Sequence, residues 1–186
     1  MDASMLKYAL LGFLSYTSYS GYDLAQQISA STGFFWHAKL SQIYTTLKKL
    51  ESDGLVVSHI ESQDERPDRR VYTITESGQT ALQIWLEKPL TKIETVKNSL
   101  LLKLFFSARV DTDTVLTQLR LQRELYAQEL ELYRQKTRKE IQETAAQHPE
   151  LERDALFWEM TLRYGEAYNR MIIDWLNESI EKLEKK

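Results

Sequence analysis

Cysteine is absent from the 186 residues. That excludes a disulfide framework, a thiolate metal site and a cysteine nucleophile. Histidine is scarce, and His37, His59 and His148 stand far apart. The chain has no His-Glu-x-x-His pair, phosphate loop or nucleophile elbow. Its carboxylates sit beside lysines and arginines on what read as helix faces. No enzyme, cofactor or metal is expected. Long apolar runs are also missing. Nothing approaches the ~18 residues needed to span a bilayer. The apolar stretch from Leu6 to Leu14 is broken by Lys7 and has no basic segment before it, so it does not read as a signal peptide. The expectation is a cytoplasmic protein with no membrane partner. Charge of one sign is lacking too: 24 Lys and Arg face 27 Asp and Glu, a net charge of -3. A DNA-binding domain often carries a basic excess. Phosphates, however, respond to charge within a Debye length of roughly 10 Å at 0.1 M salt, so a local cluster outweighs the total.

What the chain does contain is helical periodicity, interrupted once by β-branched runs. Residues 5–16 read as a helix that is apolar nearly all round, which implies burial on several sides. Ser20 offers a cap for a second helix running to about Ser31, with Asp23 in its first turn, Leu24 and Ile28 inward, and Gly33 as its stop. A third helix begins between Lys39 and Ser41 and ends at Gly54. Leu40, Ile43, Leu47 and Leu50 have the spacing of one buried face. Ser41, Gln42, Thr45 and Lys49 then fall on the opposite face, with Lys48 beside them and Tyr44 on the border. Residues 55–60 and 71–75 read as two strands. They are joined by a polar loop containing Pro67. Thr75 caps a helix over 76–88, and Gly78 in its first turn permits a close backbone approach.

Helix followed by hairpin is the arrangement of a winged helix-turn-helix, in which the third helix enters a major groove and the hairpin lies on the backbone. Gln can bond adenine, Thr can touch a thymine methyl, and Lys can reach guanine or phosphate. An exposed polar face alone fits a merely solvated helix; the hairpin after it is the feature that argues for DNA. On this reading the DNA-binding residues are Ser41, Gln42, Tyr44, Thr45, Lys48 and Lys49 of the third helix, Tyr22 of the second, and Arg66, Arg69 and Arg70 of the wing. The tyrosine hydroxyls suit phosphate, a positioning contact. Asp64, Glu65 and Asp68 near the wing tip oppose phosphate. Together with the low net charge, they support an alternative in which the winged helix docks protein instead.

Pro89 marks a boundary between a winged helix-turn-helix domain over 1–88 and a helical domain over 89–186. Thr91-Lys-Ile-Glu94 is a capping box that predicts a helix to about Ser107. Asp111 or Asp113 caps a long helix to about Gln147, Pro149 breaks it, and a last helix runs from Glu150 to about Leu183. Leu116, Leu119, Tyr126, Leu130, Tyr133 and Ile141 form a near-heptad seam on the first. Leu151, Ala155, Trp158, Leu162, Ile172, Leu176 and Leu183 do so on the second. Such seams need covering, and a homodimer is the simplest cover. The fold class is therefore mainly α with a small β-hairpin. Trp36, Trp85, Trp158 and Trp175 read first as core or interface residues. They are also material for a small aromatic effector, with Trp85 the candidate ligand-binding residue.

Several motifs, in this order and spacing, resemble the PadR family of bacterial transcriptional regulators: Leu10-Leu11-Gly12, Ser20-Gly21-Tyr22-Asp23-Leu24, Ile43-Tyr44-Thr45-Thr46-Leu47-Lys48-Lys49-Leu50-Glu51, Gly54-Leu55, and Arg69-Arg70-Val71-Tyr72-Thr73-Ile74-Thr75-Glu76-Ser77-Gly78. The helical second half resembles the subfamily that includes virulence-gene activators of the AphA type. The resemblance implies a winged-helix domain, a helical dimerisation domain, and a homodimer on an inverted-repeat operator of double-stranded DNA. Many members repress, which is the expectation here, and some sense phenolic acids or drug-like compounds. The alternative within the family is an activator that works through a protein partner without a small-molecule ligand.

Overall fold

Leu6, Leu10, Leu11 and Leu14 fall on one side of the first helix, α1 (Ala3–Leu14), and all four are buried. They meet Leu24 and Ile28 of α2 (Gly21–Ser31), Ile43, Leu47 and Leu50 of α3 (Leu40–Ser52), and Val56 and Tyr72 of the sheet. This computed structural model describes residues 3–33, 35–62, 68–93 and 97–185. They form two compact units, Met1–Ile93 and Glu94–Lys186.

In the first unit the sheet consists of β1 (Tyr19–Ser20), β2 (Val56–Glu61) and β3 (Arg69–Ile74), in the antiparallel order β1-β3-β2. The hairpin is as expected, though β3 starts at Arg69. The short strand β1 was not foreseen: two residues carry no alternation to detect. It pairs Tyr19 with Tyr72 and Ser20 with Val71. Ser20 also starts α2. Its hydroxyl accepts the Asp23 N–H at 3.2 Å, and the Asp23 carboxylate accepts the Ser20 N–H at 3.1 Å, a reciprocal cap. Helix α2 ends one residue before Thr32. Gly33 lies just beyond, where a Cβ would stand 2.4 Å from the Ser29 carbonyl oxygen.

The end of α3 is set by Gly54, whose φ of +72° is the one positive value among the described residues. Only a residue without a Cβ adopts that conformation at little cost. The chain then turns so that the Leu55 N–H donates to the Leu50 carbonyl at 2.9 Å. Helix α4 (Glu76–Glu87) is capped by Thr75, whose hydroxyl oxygen accepts the Gly78 N–H at 3.1 Å. Gly78 is buried against the Leu55 carbonyl oxygen, which a Cβ would approach to 2.1 Å. The close backbone approach expected at this glycine is therefore present.

The predicted helix does not start at Thr91: Thr91–Ile93 are not helical, and Glu94 lies outside the described residues. Helix α5 (Ser99–Phe105) starts instead at Asn98, whose side chain accepts the Leu101 N–H at 3.0 Å. Asn98 stands directly before the apolar run, so it can cap the helix that run forms. Asp111 caps α6 (Thr112–Leu132), accepting the Thr114 N–H at 2.7 Å. The predicted long helix then contains an unforeseen π turn, Tyr133–Thr137, in which the Arg138 N–H reaches the Tyr133 carbonyl. It continues as α7 (Arg138–Gln147). Pro149 opens a short 3-10 turn before α8 (Glu152–Glu184), which at 33 residues extends ~50 Å.

The two seams face one another. Val115, Leu116 and Leu119 of α6 pack with Leu176 and Ile180 of α8. Nearer the π turn the shared interior is polar. Glu166 and Asn169 are buried. Arg138 donates to Glu166 at 2.7 Å and also to Glu159, and Asn169 donates to Glu129 at 3.1 Å. Burial, reinforced by a hydrogen bond to Glu129, raises the Tyr133 phenol well above its ordinary range. The pairing does not cover everything: Leu121, Leu125, Leu156, Phe157, Met160, Tyr164 and Met171 remain exposed. No described helix is long and apolar enough to cross a membrane.

The Leu55–Gly78 contact yields a stability prediction. Gly78→Ala forces a methyl against backbone that cannot rotate away, and should cost about 2 kcal/mol or more. An unchanged denaturant midpoint would show that the two segments separate freely.

Candidate nucleic-acid interface

Helix α3 has the two faces that its periodicity predicts, with one exception. Ile43, Leu47 and Leu50 are at most 1 % exposed, whereas Leu40 is 43 % exposed and does not join the buried face. Leu40 is the first residue of the helix, where the chain has not yet come under the core. Ser41, Gln42, Tyr44, Thr45, Lys48 and Lys49 are all exposed. The structure thus brings the six α3 candidates onto one accessible surface.

Their hydrogen bonds refine what each can offer. Gln42 Oε1 accepts the Lys39 N–H at 3.1 Å, so the side chain folds back over the start of its own helix. Bidentate reading of adenine uses both amide atoms. It must therefore draw on the second lone pair of that oxygen or break the cap. Thr45 donates its hydroxyl proton to the Ser41 carbonyl at 2.9 Å. What it presents outward is an acceptor oxygen and a methyl group. Lys48 and Lys49 stand on the later turns, and Lys49 lies in the last turn, where a cation complements the helix dipole.

Tyr44 and Tyr22 flank this face. The Tyr44 ring lies on the backbone of Gly21, so closely that a Cβ there would come within 2.5 Å of the ring. Tyr44 is nevertheless 41 % exposed. One aromatic side chain thus braces α3 against the start of α2 and still meets solvent. Tyr22 is 58 % exposed, and its hydroxyl accepts from Gln26 at 3.3 Å.

The wing arginines that are described have partners within the protein. Arg66 lies outside the described residues, as do Asp64 and Glu65. Arg69 and Arg70 are both engaged within the protein. Arg69 donates from Nε to Glu61 at 2.9 Å and from Nη1 to Asp23 at 3.4 Å. Arg70 donates from Nη2 to both Glu51 oxygens at 3.0 Å and from Nε to Ser58 at 2.7 Å. The Arg69 guanidinium holds the Glu61 carboxyl below the usual carboxylate range. Glu51, Asp23 and Ser58 were not among the sequence candidates. No local pattern marks them, because their arginines lie up to 46 residues away. Tyr72 is buried in the sheet, as a strand-packing residue should be.

The tryptophans fit packing roles. Trp36 packs against the first core and Trp175 against the second. The Trp85 ring stacks on Tyr8 at 4.8 Å. Trp175 also borders an open groove on α8 with Met171, Arg170, Asp174 and Glu178. Trp85 is not in its walls. No group of His, Asp and Glu among the described residues is arranged to hold a metal ion.

Residues 10–84 match the PadR-like family of transcriptional regulators, and residues 96–184 match the family described as the virulence activator alpha C-terminal region. The negative transcriptional regulator PadR of Bacillus subtilis is 40% identical over 102 residues, which span 55% of this chain and 56% of that protein. A probable transcriptional regulator of Mycobacterium tuberculosis, Rv1176c, is 32% identical over 97% of this chain and 98% of its own length. The solved structure of B. subtilis PadR in complex with operator DNA superposes with a TM-score of 0.83 at 27% identity, over 98% of each chain. The same protein in complex with p-coumaric acid gives 0.69 at 25% identity, over 100% of this chain and 99% of that one. The Vibrio cholerae virulence activator AphA gives 0.69 at 27% identity, over 97% and 98%.

The Gln42 cap is testable without a ligand. Gln42→Ala should lower stability by about 0.5–1 kcal/mol through the lost bond to the Lys39 N–H. For a chain of this size that is a fall in melting temperature of roughly 1–4 °C. No change would mean that the amide does not rest on Lys39 in solution.

Proposed function

The chain belongs to the PadR-like family of transcriptional regulators, and on that premise we propose that it binds operator DNA as a homodimer and represses transcription. The observation that carries this reading is α3. Its apolar face is buried in the first unit, while Ser41, Gln42, Thr45, Lys48 and Lys49 share an open surface. A helix so held enters a major groove with its polar face toward the bases. Lys48 and Lys49 supply local positive charge that the net charge of the chain conceals. Homodimerisation is supported by the apolar side chains that α6 and α8 leave exposed, such as Leu121, Leu125, Phe157 and Met160. A two-fold dimer places two copies of α3 on half-sites of an inverted repeat.

Repression is the reading favoured by similarity to a negative regulator in B. subtilis. A small aromatic acid is the effector class favoured by the p-coumaric acid complex of that relative, and Trp85 is the side chain proposed to report on it. The C-terminal match to the virulence activator family favours a second reading, activation through a protein partner. A reporter fused to the recovered promoter separates the two by the sign of its response.

The decisive experiment is recovery of genomic fragments bound by the protein at near-physiological salt. An inverted repeat is expected; no enrichment over background would count against operator binding. On that repeat, Lys49→Ala should reduce the salt slope by ~1 if the amine neutralises one phosphate. Gln42→Ala should lose ~1–3 kcal/mol on the preferred sequence and less on others if it reads a base. Equal losses on all duplexes would reduce Gln42 to a positioning role.

A further inference from the structure

The wing arginines face an electrostatic choice. Arg70, Glu51 and Ser58 come from β3, α3 and β2, and they close a ring of hydrogen bonds. Arg70 donates to Ser58 and to both oxygens of Glu51, and Ser58 donates to Glu51 at 2.5 Å. The guanidinium also lies over the Tyr72 ring, 5.8 Å from its centroid. Arg69 repeats the theme on the other helix, joining Asp23 of α2 to Glu61 of β2. Each arginine thus ties the hairpin to one helix of the helix-turn-helix.

A phosphate that reached Nη2 of Arg70 would have to take those donors from the carboxylate, and one that reached Nη1 would meet a guanidinium whose charge Glu51 already offsets. The Nη2 donors cannot serve both anions at full strength, and Glu51 would be left with only the Ser58 hydroxyl beside the negative duplex. The gain from the new contact is then offset by like-charge repulsion. Leaving the clamp closed costs nothing and keeps the wing at a fixed angle to α3. Charge-assisted Arg–carboxylate pairs with more than one bond carry the geometric specificity for that task.

We propose that Glu51, acting through Arg70 and Ser58, is a positioning residue for operator recognition, and that Arg70 supplies no phosphate contact. Asp23 plays the corresponding part through Arg69. This reverses the role that the sequence suggests for the two arginines, and it rests on the DNA-binding reading above.

The test uses the full chain and the duplex recovered from the genomic pool, titrated over a range of salt. Wild type, Glu51→Ala, Arg70→Ala and the double variant are compared. Glu51→Ala removes a negative charge near DNA, so simple electrostatics predicts tighter binding. The clamp predicts weaker binding, on the order of tenfold, with the double variant no worse than the poorer single one. It also predicts that Arg70→Ala leaves the salt slope unchanged. A slope reduced by ~1 in Arg70→Ala would mean a phosphate contact and would overturn the proposal, as would tighter binding by Glu51→Ala.

Amide exchange of the free protein supplies a readout independent of DNA. Glu51→Gln should speed exchange in β2 and β3 while the core amides of α1 keep their rates. Unchanged exchange in the two strands would overturn the clamp. Failure of the wild type to bind any duplex would instead overturn the DNA reading, and the positioning role with it, while the exchange rates would still report whether the clamp exists.

Discussion

The first unit depends on one backbone junction, where Gly54-Leu55 meets Thr75-Glu76-Ser77-Gly78. Thr75 donates its hydroxyl proton to the Gly54 carbonyl at 2.8 Å and its N–H to the Leu55 carbonyl at 3.1 Å. The same Thr75 oxygen caps α4. Gly54 supplies the left-handed turn that ends α3, and Gly78 supplies the missing Cβ that lets α4 close on Leu55. Three elements therefore converge within a few residues: the end of α3, both ends of the hairpin and the start of α4. The orientation of the exposed face of α3 relative to the wing is set by backbone hydrogen bonds and two glycines. That is a stiffer constraint than packing of flexible side chains, because neither contact has a rotamer with which to relax.

On top of that junction sit the two arginine clamps, which work by different physics. They are partly exposed ion pairs, each of modest worth to stability in water. Their contribution is geometric. A two-oxygen bond from Arg70 of β3 to Glu51 of α3 and a single, longer one from Arg69 of β3 to Asp23 of α2 restrict how the hairpin rocks on the helices. The uncommitted cations then stand out. Lys48 and Lys49 have open positions on α3 itself, so the proposed interface draws its charge from the helix, with the hairpin held beside it.

Most of this architecture was legible because it repeats locally. The 4-3 spacing of Ile43, Leu47 and Leu50 sorted α3 into its two faces. Ser20 and Thr75 each announced a helix by its cap, Asp111 did so as one of two candidates with Asp113, and Gly78 announced a close approach. The features that could not be read are those without a local repeat. Strand β1 has two residues and no period. The π turn at Tyr133 differs from α-helix by one shifted hydrogen bond, which composition does not encode. The bonds of Arg69 to Asp23 and of Arg70 to Glu51 span 46 and 19 residues, and only the folded chain brings them together. Leu40 shows the limit of periodicity at a helix end: its spacing fits the buried face, but the core does not reach the first turn.

The second unit poses a separate problem, since its interior mixes Leu119, Leu162 and Leu176 with buried Glu166 and Asn169. A buried charge is costly unless paired, and a leucine in its place often gives equal or greater stability. What the polar cluster adds is register. Glu166 accepts from Arg138 and Glu129 accepts from Asn169. A slip of α8 along its partner by one turn would strand at least two of these groups without a bond, a penalty that a uniform leucine seam does not impose. The π turn lies just before Arg138 and adds one residue to a helical turn, rotating α7 by about 100° relative to α6. A regular helix at this point would carry Arg138 to a different side. The wide turn, the buried carboxylate and the arginine are thus one device, and each accounts for the presence of the others.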